Sequence, residues 1–441
     1  MSPTNESENV AAQGDDSGLP EQPKHVGTGL AAWYSLANIG YGAFYAFNNF
    51  LLPPYIALFS SNAIIQGLMG GTYSIEGMVI QPVVGSLSDK SRSKWGRRRP
   101  FMLIATVICA ALMLITPAAA SLPIAVRMGG IVLCIFVFTV AFNVANDPYM
   151  ALMPDITPEE ERGRVNGMAV LFNNLAQAGI LVAASVLIKM HNLFPGSFIL
   201  VAVLMVVTTL LTCWRVREPK VVGPVHVRNF KEETRRAWNG LKTLSQAKIA
   251  LLAIAIASAG IYAVTPYLTL FVKTITHAKD DTNGVIAALV LMLSTALGVA
   301  PFGWLTDKVG AKWVTLIGCG IISVACIGAL WAVTMPQIII VLVIAGVGNG
   351  AYQGASYPLL TELVPREELG LYTGFLSTAR SLAQPGTTLI TGMLINNGHG
   401  SYRVIFGVCA VTMFLAMAIL PRLRLPLAVE EIARHRAETA A

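Results

Sequence analysis

The apolar residues of this chain fall in long continuous blocks, which short polar and charged connections separate. Each block approaches or exceeds the roughly 20 residues that a helix needs to cross a bilayer, whereas a half-buried strand would alternate apolar and polar positions. The pattern therefore predicts an all-α membrane protein with twelve transmembrane helices. Their approximate ranges are 29–58, 63–88, 101–119, 124–153, 164–190, 194–214, 247–272, 284–306, 312–333, 336–361, 369–394 and 404–422.

The composition excludes an ordinary water-soluble enzyme. Of the 441 residues, 54% are hydrophobic and 12% are charged, where a soluble domain has about 25% charged residues. The mean hydropathy is +0.62. The six cysteines fall inside predicted spans, which fits apolar packing groups better than a disulfide framework or a metal site.

Lysine and arginine are concentrated in every second connection, and this bias sets the orientation of a multi-pass membrane protein. We place both termini in the cytoplasm and the protein in the plasma (inner) membrane. The predicted units are a disordered cytoplasmic tail over 1–28, a six-helix bundle over 29–214, a cytoplasmic linker over 215–246, a second six-helix bundle over 247–422 and a cytoplasmic tail over 423–441. The net charge of +7 needs no nucleic-acid partner, and it favours contact with anionic membrane lipid.

The two bundles are similar to each other in sequence. Residues 85–90, Gly-Ser-Leu-Ser-Asp-Lys, recur as Gly-Trp-Leu-Thr-Asp-Lys at 303–308, an offset of 218 positions. Residues 54–59, Pro-Tyr-Ile-Ala-Leu-Phe, recur as Pro-Tyr-Leu-Thr-Leu-Phe at 266–271, an offset of 212. A third set recurs at an offset of 207: Pro158, Gly163, Gly167, Leu175, Ala176 and Gln177 correspond to Pro365, Gly370, Gly374, Leu382, Ala383 and Gln384. The slowly drifting offset indicates a duplication into two six-helix pseudo-repeats.

Two parallel six-helix repeats joined by a cytoplasmic loop are the layout of the major facilitator superfamily, which this chain resembles. The loops that begin at Gly85 and Gly303 match the superfamily signature Gly-x-Leu-x-Asp-(Lys/Arg). The resemblance covers all twelve spans, and it implies a substrate site near the bilayer midplane between two halves that rock about it.

The first third of the chain is similar to the sucrose/proton symporters and their relatives among the glycoside:cation symporters. The matching segments are Leu-Leu-Pro-Pro-Tyr at 51–55, Gln-Pro-Val-Val-Gly at 81–85 followed by Ser-Asp at 88–89, Ser-Lys-Trp-Gly-Arg-Arg-Arg-Pro-Phe at 93–101, and Ala-Leu-x-x-Asp at 151–155. This resemblance implies proton-coupled symport of a disaccharide, such as a sucrose- or maltose-like sugar, or of a related glycoside. A proton-coupled exporter of a drug or metabolite and a sugar uniporter are the alternatives.

Two charged residues fall near the middle of predicted spans, where a charge is costly and usually functional. Glu76 lies in the second span and Arg380 in the eleventh, and the superfamily resemblance implies that these helices face each other across the seam between the halves. Protonation of Glu76 would then weaken a Glu76–Arg380 ion pair and let the halves rearrange. The alternative is a permanent salt bridge that only fixes packing.

The fourth span departs from the sucrose symporter pattern. The acidic residue that those symporters have in this span aligns with Thr139 here, so its role in proton coupling is not carried over. Either Glu76 or Asp147 takes that role, or coupling is altered or absent. Asp147 lies nearer the cytoplasmic end and precedes Pro148, and local hydrogen bonding or gating is an equal alternative for it.

Amide and tyrosine side chains recur at helical spacing in spans one, four, five, seven and ten. Amides both donate and accept hydrogen bonds, and aromatic rings stack on sugar rings, so this set favours a polyhydroxylated substrate. The alternative for any single residue is that it joins neighbouring helices. The predicted substrate-binding residues are Tyr45, Asn48, Asn143, Asn146, Asn173, Gln177, Tyr262, Asn349 and Gln353.

The signature loops predict a cytoplasmic gate. Asp89 ends span two and would meet the N-terminus of span eleven, whose free N–H groups and positive dipole end attract a carboxylate. Asp307 would meet the N-terminus of span five in the same way. The basic run between spans two and three would orient Asp89 or bind lipid phosphate. The predicted gating residues are Gly85, Asp89, Arg97, Arg98, Arg99, Gly303 and Asp307.

Other classes of membrane protein have less support in the sequence. The six histidines lie in tails or connections, and neither His-Glu-x-x-His nor Gly-x-Ser-x-Gly occurs, so we expect no enzyme. The sequence contains no P-loop, which argues against ATP-driven transport. We expect no cofactor, a proton as the coupling ion, a small sugar-like molecule as the substrate, membrane lipid as a partner and a monomer as the functional unit.

Overall fold

The computed structural model of the protein describes nine stretches of the chain, with a few side chains excepted. The first 26 residues, most of the linker and the last 17 residues lie outside it, and so do the expectations that fall on them. The described residues are 27–91, 93, 95–158, 161–190, 193–218, 244–277, 280–365, 369–398 and 400–424, without the side chains of 72–79, 81, 82, 86, 89, 90, 163, 189, 193, 369–371 and 373.

The described chain is helical throughout and contains no strand. In the first half, α1 and α2, a π-helical segment and α3 form the first predicted span, and α4 to α8 form the next five. The bounds are α1 Thr28–Ser35, α2 Ala37–Ala46, the π segment Phe47–Leu51, α3 Leu52–Ala57, α4 Ala63–Lys90, α5 Arg99–Ala119, α6 Ile124–Ile156, α7 Arg162–Lys189 and α8 Leu193–Arg215.

The second half has the same order of elements. Its seventh span is again interrupted, by a 3₁₀ turn, and the five helices that follow match the remaining predicted spans. The bounds are α9 Ser245–Val264, the 3₁₀ turn Thr265–Tyr267, α10 Leu268–Ile275, α11 Thr282–Val309, α12 Ala311–Trp331, α13 Met335–Thr361, α14 Leu369–Asn397 and α15 Val404–Ile419, with a last 3₁₀ turn at Leu420–Arg422.

Each predicted span coincides with helical structure, and the chain is an integral multi-pass membrane protein. Within the described residues, nine helical segments are long and apolar enough to cross a membrane. They correspond to predicted spans three to ten and twelve. The first, second and eleventh spans are helical as well, and the exact number of crossings stays a prediction.

The first and seventh spans break at equivalent places because of their prolines. A proline has no N–H to donate and clashes with the preceding helical turn. Pro53 and Pro54 follow the π segment directly, and Pro266 lies within the 3₁₀ turn. Since Pro54 and Pro266 correspond at the repeat offset of 212, the two halves share the interruption as well as the sequence.

Aromatic rings and small residues both let the helices of the halves pack closely. In the first half, aromatic rings fill the space between the first span and α6: Phe44 stacks on Phe142 at 3.8 Å and Tyr34 on Tyr149 at 4.6 Å between ring centroids. In the second half, small residues let helix backbones approach each other. A Cβ on Gly350 of α13 would lie 2.8 Å from the Gly298 Cα of α11.

We name the two ends of the bundle by the chain. The linker side is the end where α4 ends, α5 begins and α8 runs into the linker. The far side is the opposite end, where α4 and α11 begin and α14 ends.

Candidate functional site

A central cavity of about 420 Å³ lies between the two halves, within the range of small-molecule binding sites. Its wall combines amide, hydroxyl and aromatic groups from both halves with apolar side chains of α11. The polar and aromatic lining residues are Tyr45, Asn49, Phe50, Asn174, Gln177, Ser258, Tyr262, Thr265, Thr295, Asn349, Tyr352, Gln353 and Arg380. Five of the nine predicted substrate residues are among them: Tyr45, Gln177, Tyr262, Asn349 and Gln353.

Neighbouring polar groups fix the orientation of two of the cavity amides. The Gln177 Nε2 group donates to the Asn173 Oδ1 atom at 2.7 Å, so Asn173 lies behind Gln177. The Asn349 Nδ2 group donates to the Thr295 Oγ1 atom at 3.3 Å. The Asn349 Oδ1 atom is buried and accepts no hydrogen bond from the described residues. A bound hydroxyl would satisfy this acceptor.

Arg380 brings a positive charge to the cavity wall. Its Nη2 group donates to the Ser356 Oγ atom at 2.7 Å, and it is the one charged residue among the lining side chains that the structure describes. The adjacent Tyr352 hydroxyl donates to the Ile254 carbonyl at 3.0 Å and lies 2.8 Å from the Ser258 Oγ atom. The α4 and α14 helices are in contact, but the Glu76 side chain lies outside the described part of α4, so its pairing with Arg380 stays a prediction.

The other predicted residues of the first half lie away from the cavity. Asn48 turns towards α4 and donates to the Gly70 carbonyl at 2.7 Å. Asn143 donates to the Thr139 carbonyl one turn earlier in α6 at 3.1 Å, and Asn146 is 5% exposed. Asp147 is partly buried in the same helix. Asn143 and Asn146 are buried within the first half and are not among the residues that line the cavity.

Several lining residues were absent from the sequence prediction, namely Asn49, Asn174, Ser258, Thr295 and Tyr352. Two of them directly follow predicted residues in Asn-Asn pairs, at 48–49 and 173–174. Helical spacing restricts both members of such a pair to neighbouring directions, 100° apart. Which member of the pair lines the cavity depends on where the cavity lies relative to the helix, and the spacing of residues in the sequence does not give this direction.

On the far side, one tyrosine joins the two halves. The Tyr267 hydroxyl lies 2.9 Å from the Ala63 carbonyl of α4 and 3.0 Å from the Thr388 carbonyl of α14. Two glycines make room for it: a Cβ on Gly67 would collide with the hydroxyl, and a Cβ on Gly392 would lie 3.0 Å from it. Glycine is therefore required at both positions for this closed arrangement.

Further polar contacts close the far side around Tyr267. The Asn396 Nδ2 group donates to the Asn62 Oδ1 atom at 2.9 Å. The Tyr402 hydroxyl donates to the Gln66 Oε1 atom at 2.9 Å. Burial raises the pKa of Tyr402 and its hydrogen bond with Gln66 opposes the rise, so the hydroxyl keeps its proton to donate at neutral pH.

The signature loops on the linker side have open space around their glycines. The hydrogen bonds that join Ala63 to Tyr267 and Asn396, Asn62 to Asn396, and Gln66 to Tyr402 all lie on the far side. A Cβ on Gly85, Gly303 or Gly374 would meet nothing within 4 Å. Asp307 is exposed, and the Asp89 side chain lies outside the description. The gate predicted from these loops stays a prediction.

The basic run at the start of α5 pairs within its own half. The Arg97 Nη2 group lies 2.8 Å from one oxygen of Asp155, at the end of α6, and the Arg98 Nε group lies 2.5 Å from the other. Arg98 also reaches the Ser88 Oγ atom, at 3.4 Å. Charge-assisted pairs of this kind are stronger than neutral hydrogen bonds, and they tie together the ends of α4 and α6 and the start of α5.

Glu218, just beyond α8, caps the same helix start. Its carboxylate accepts the backbone N–H groups of Arg97, Arg98 and Arg99 at 2.8, 3.0 and 2.8 Å. A carboxylate is favoured there by the free N–H groups and the helix dipole. Gly96 adopts φ +105°, and a Cβ on it would lie 2.6 Å from the Glu218 Oε1 atom. Sequence reasoning missed Glu218 because no local pattern links it to residues about 120 positions earlier.

The second half repeats this arrangement with fewer charges. Glu362, 207 positions after Asp155, accepts a hydrogen bond from the Ala311 N–H at the start of α12. Burial raises the pKa of Glu362 and this hydrogen bond opposes the rise. The Lys312 Nζ group donates to the Leu423 carbonyl at 2.7 Å, as Arg99 donates to the Cys213 carbonyl at the end of α8. In each half, therefore, contacts within that half hold the linker-side helix ends together. Such contacts are expected in halves that move as rigid bodies.

A protein-family comparison matches residues 33–397 to the family described as "MFS/sugar transport protein". Among curated proteins, the chain is 44% identical over 66 residues to "Sucrose transport protein SUT1" of Oryza sativa subsp. japonica, covering 15% of this chain and 12% of that protein. It is 27% identical over 204 residues to "Sucrose transport protein SUT2" of Oryza sativa subsp. indica, covering 39% and 41%. The alignments thus span less than half of these relatives.

Among solved structures, the fold is similar to that of a D-xylose-proton symporter. The TM-score is 0.66 at 13% sequence identity, and the match covers 88% of this chain and 96% of that one. At this identity the similarity shows the fold alone, and it agrees with the fold that the duplicated signature loops predicted.

Proposed function

The chain belongs to the MFS/sugar transport protein family, and from this premise we propose that it is a secondary active transporter that imports a disaccharide or related glycoside with protons. The observation that carries this proposal is the cavity between the halves, whose wall has amides on both sides and aromatic rings beside them. Amides match the paired donors and acceptors of sugar hydroxyls, and Tyr45, Tyr262 and Tyr352 offer apolar faces. The sucrose transport proteins among the relatives agree with this substrate class.

Transport would proceed by alternating access. The halves are joined on the far side around Tyr267, and we infer that the cavity opens to the linker side, where a Cβ on Gly85, Gly303 or Gly374 would meet nothing within 4 Å. In the opposite arrangement, Tyr267 would leave Ala63, the far side would open, and Asp89 and Asp307 would engage their facing helices on the linker side. We propose that both termini are cytoplasmic, that the protein lies in the plasma (inner) membrane, and that it acts as a monomer.

Proton coupling would depend on Glu76 and Arg380. Arg380 stays charged at the cavity wall, so the charge of Glu76 decides whether an ion pair forms across the seam. A proton on Glu76 would release the pair and allow the halves to rearrange with substrate bound. Asp147 is the second candidate for a proton site, from its place in α6.

The substrate proposal is tested by replacing cavity amides with leucine. Gln177→Leu removes a hydrogen-bonding group from the cavity, which should raise the KM for the transported sugar about tenfold, because an unpaired polar group of a bound substrate costs about 1–3 kcal/mol. Asn166→Leu removes an exposed amide from the same helix and is the control. Equal KM values for the two variants would exclude Gln177 from the substrate site.

A sugar uniporter is the second candidate, and one observation favours it. Thr139, where the sucrose symporters have an acid, directs its hydroxyl to the Ile135 and Phe136 carbonyls of its own helix at 2.8 and 2.9 Å. A threonine hydroxyl does not titrate in the physiological range, so this position takes up no proton. Uptake that equilibrates without a proton gradient would favour the uniporter.

A further inference from the structure

A small second pocket lies inside the second half, beside the central cavity. Its volume is about 50 Å³, and its walls are apolar side chains from α9, α11, α12, α13 and α15. Ile322, Leu342 and Phe406 provide the bulky part of the wall, and Ala325 and Ala345 leave the space between them. Nothing in the function proposed above uses this pocket.

The pocket adjoins the central cavity. Ile261, Thr265, Leu291 and Asn349 line both spaces. The buried Asn349 Oδ1 atom, which accepts no hydrogen bond from the described residues, lies in this shared wall. A substituent of a molecule bound in the cavity would therefore enter the pocket beside an unsatisfied acceptor.

Size and polarity restrict what the pocket can hold. A pocket lined by aliphatic and aromatic side chains stays dry and takes apolar groups, as an engineered apolar cavity of about 150 Å³ does with benzene. About a third of that volume has room for roughly three carbon atoms and none for a ring. A free disaccharide has an oxygen on every carbon and no alkyl group, so it would leave this space empty.

We propose that the preferred substrate is a glycoside with a short alkyl substituent, of up to about three carbons, which enters this pocket. The sugar hydroxyls bind the cavity amides, a hydroxyl near the substituent donates to the Asn349 Oδ1 atom, and the alkyl group packs against Ile322, Leu342 and Phe406. The inference rests on the proposed sugar transport, and it adds the class of substituent that the site selects.

The test is a chain-length series. Methyl, ethyl, propyl and pentyl glucosides and maltosides compete with labelled sucrose and maltose for uptake, and their binding to the purified protein in lipid nanodiscs is measured by thermal stabilisation. Affinity should rise about fourfold for each added carbon up to propyl, as for burial of one methylene, and should stop rising at pentyl. Ala345→Leu fills the pocket and should abolish the rise while free-sugar uptake persists.

Two further variants make the test independent of a folding defect. Ile322→Ala enlarges the pocket and should extend the rise towards pentyl. Ala111→Leu makes the same change as Ala345→Leu, but on the exposed surface of α5. Its affinity should rise with chain length as that of wild type does.

The outcomes separate this inference from the proposed function. A rise that is lost in Ala345→Leu and kept in Ala111→Leu supports the pocket. Affinity that is independent of chain length, or a rise that is equal in all variants as membrane partitioning would give, overturns the pocket and leaves sugar transport standing. Binding and uptake of none of the sugars or glycosides overturns both.

Discussion

Replacing Tyr267 with phenylalanine removes the hydroxyl that joins the two halves on the far side and keeps the ring that packs there. In the present arrangement this hydroxyl bonds to the carbonyls of Ala63 and Thr388. The contact with Ala63 cannot persist once the far side opens, because Ala63 belongs to the first half and Tyr267 to the second, whereas the contact with Thr388 lies within the second half. The substitution should therefore shift the equilibrium towards the far-open arrangement.

The size of the shift follows from the one hydrogen bond that joins the halves. A typical intramolecular hydrogen bond contributes about 0.5–1.5 kcal/mol net. The single hydroxyl proton of Tyr267 is shared between the Ala63 and Thr388 carbonyls, and each carbonyl also accepts its own helix's N–H, so the lower part of this range applies. A loss of about 0.5–1 kcal/mol changes the ratio of the two arrangements by roughly 2- to 5-fold.

The shift can be measured as the reaction rate of one cysteine. Thr265→Cys places a thiol on the cavity wall, and a membrane-impermeant maleimide added from the far side reaches it only in the far-open arrangement. Tyr267→Phe should raise this rate, and protein without the Thr265→Cys change gives the background from native cysteines.

Tyr55→Phe is the matched control, because Tyr55 is the repeat equivalent of Tyr267. Its hydroxyl lies 3.3 Å from the Thr116 carbonyl of its own half. Tyr55→Phe should leave the labelling rate near that of wild type. Equal rates for Tyr267→Phe, Tyr55→Phe and the parent protein would refute the assignment of Tyr267 to the gate.

Four more substitutions test the linker side and the coupling residues. Glu218→Ala leaves three N–H groups uncapped and should destabilise the protein by about 2 kcal/mol, which would lower its unfolding temperature. The unfolding temperature of Glu218→Gln should lie between those of Glu218→Ala and wild type. An unchanged temperature in Glu218→Ala would contradict the cap. Gly96 adopts φ +105° and lies against that carboxylate, so Gly96→Ala should destabilise the protein by about 1–3 kcal/mol and lower the yield of folded protein. Gly85→Ala is the control and should be tolerated in the linker-open arrangement. Similar yields for the two variants would argue against strain at Gly96. Arg380→Gln should reduce uptake at least tenfold, which corresponds to about 1.4 kcal/mol, when equal amounts of protein are present in the membrane. Normal uptake would exclude Arg380 from the substrate site. Glu76→Gln should preserve sugar binding and abolish proton-driven accumulation, and full accumulation would exclude Glu76 as the proton site.

The fold could be predicted from the sequence because a bilayer imposes a strong one-dimensional pattern. Every backbone group inside the membrane needs an internal partner, so each long apolar block must be a helix. The breaks in the first and seventh spans were not predicted, although Pro54 and Pro266, which correspond at the repeat offset of 212, lie at them. The count of crossings rests on the hydropathy pattern and stays a prediction.

The site could be predicted only in part. Helical spacing shows which residues share a stripe on one face of a helix, but it does not show which part of the protein that face points to. Gln177, Asn349 and Gln353 line the cavity as predicted. Asn143 and Asn146 occupy a similar stripe on α6, yet they are buried inside the first half and do not line the cavity. The direction of a stripe depends on tertiary packing, which a single sequence does not encode locally.

Contacts between distant segments were beyond sequence reasoning. Glu218 meets the start of α5, and Tyr267 meets Ala63, across more than 100 positions. Neither residue differs in local pattern from many other acids and tyrosines. Only the glycines beside them, Gly96 and Gly67, distinguish these places, and their meaning depends on the side chain that approaches.

The most direct measurement is uptake of labelled sucrose and maltose by transport-deficient cells that express the protein, with and without a protonophore. Proton-coupled sugar import predicts accumulation above the external concentration that collapses when the protonophore is added. Uptake that only equilibrates, with or without the protonophore, would contradict proton coupling and favour a uniporter. No uptake of either sugar by folded protein in the membrane would contradict sucrose and maltose as its substrates.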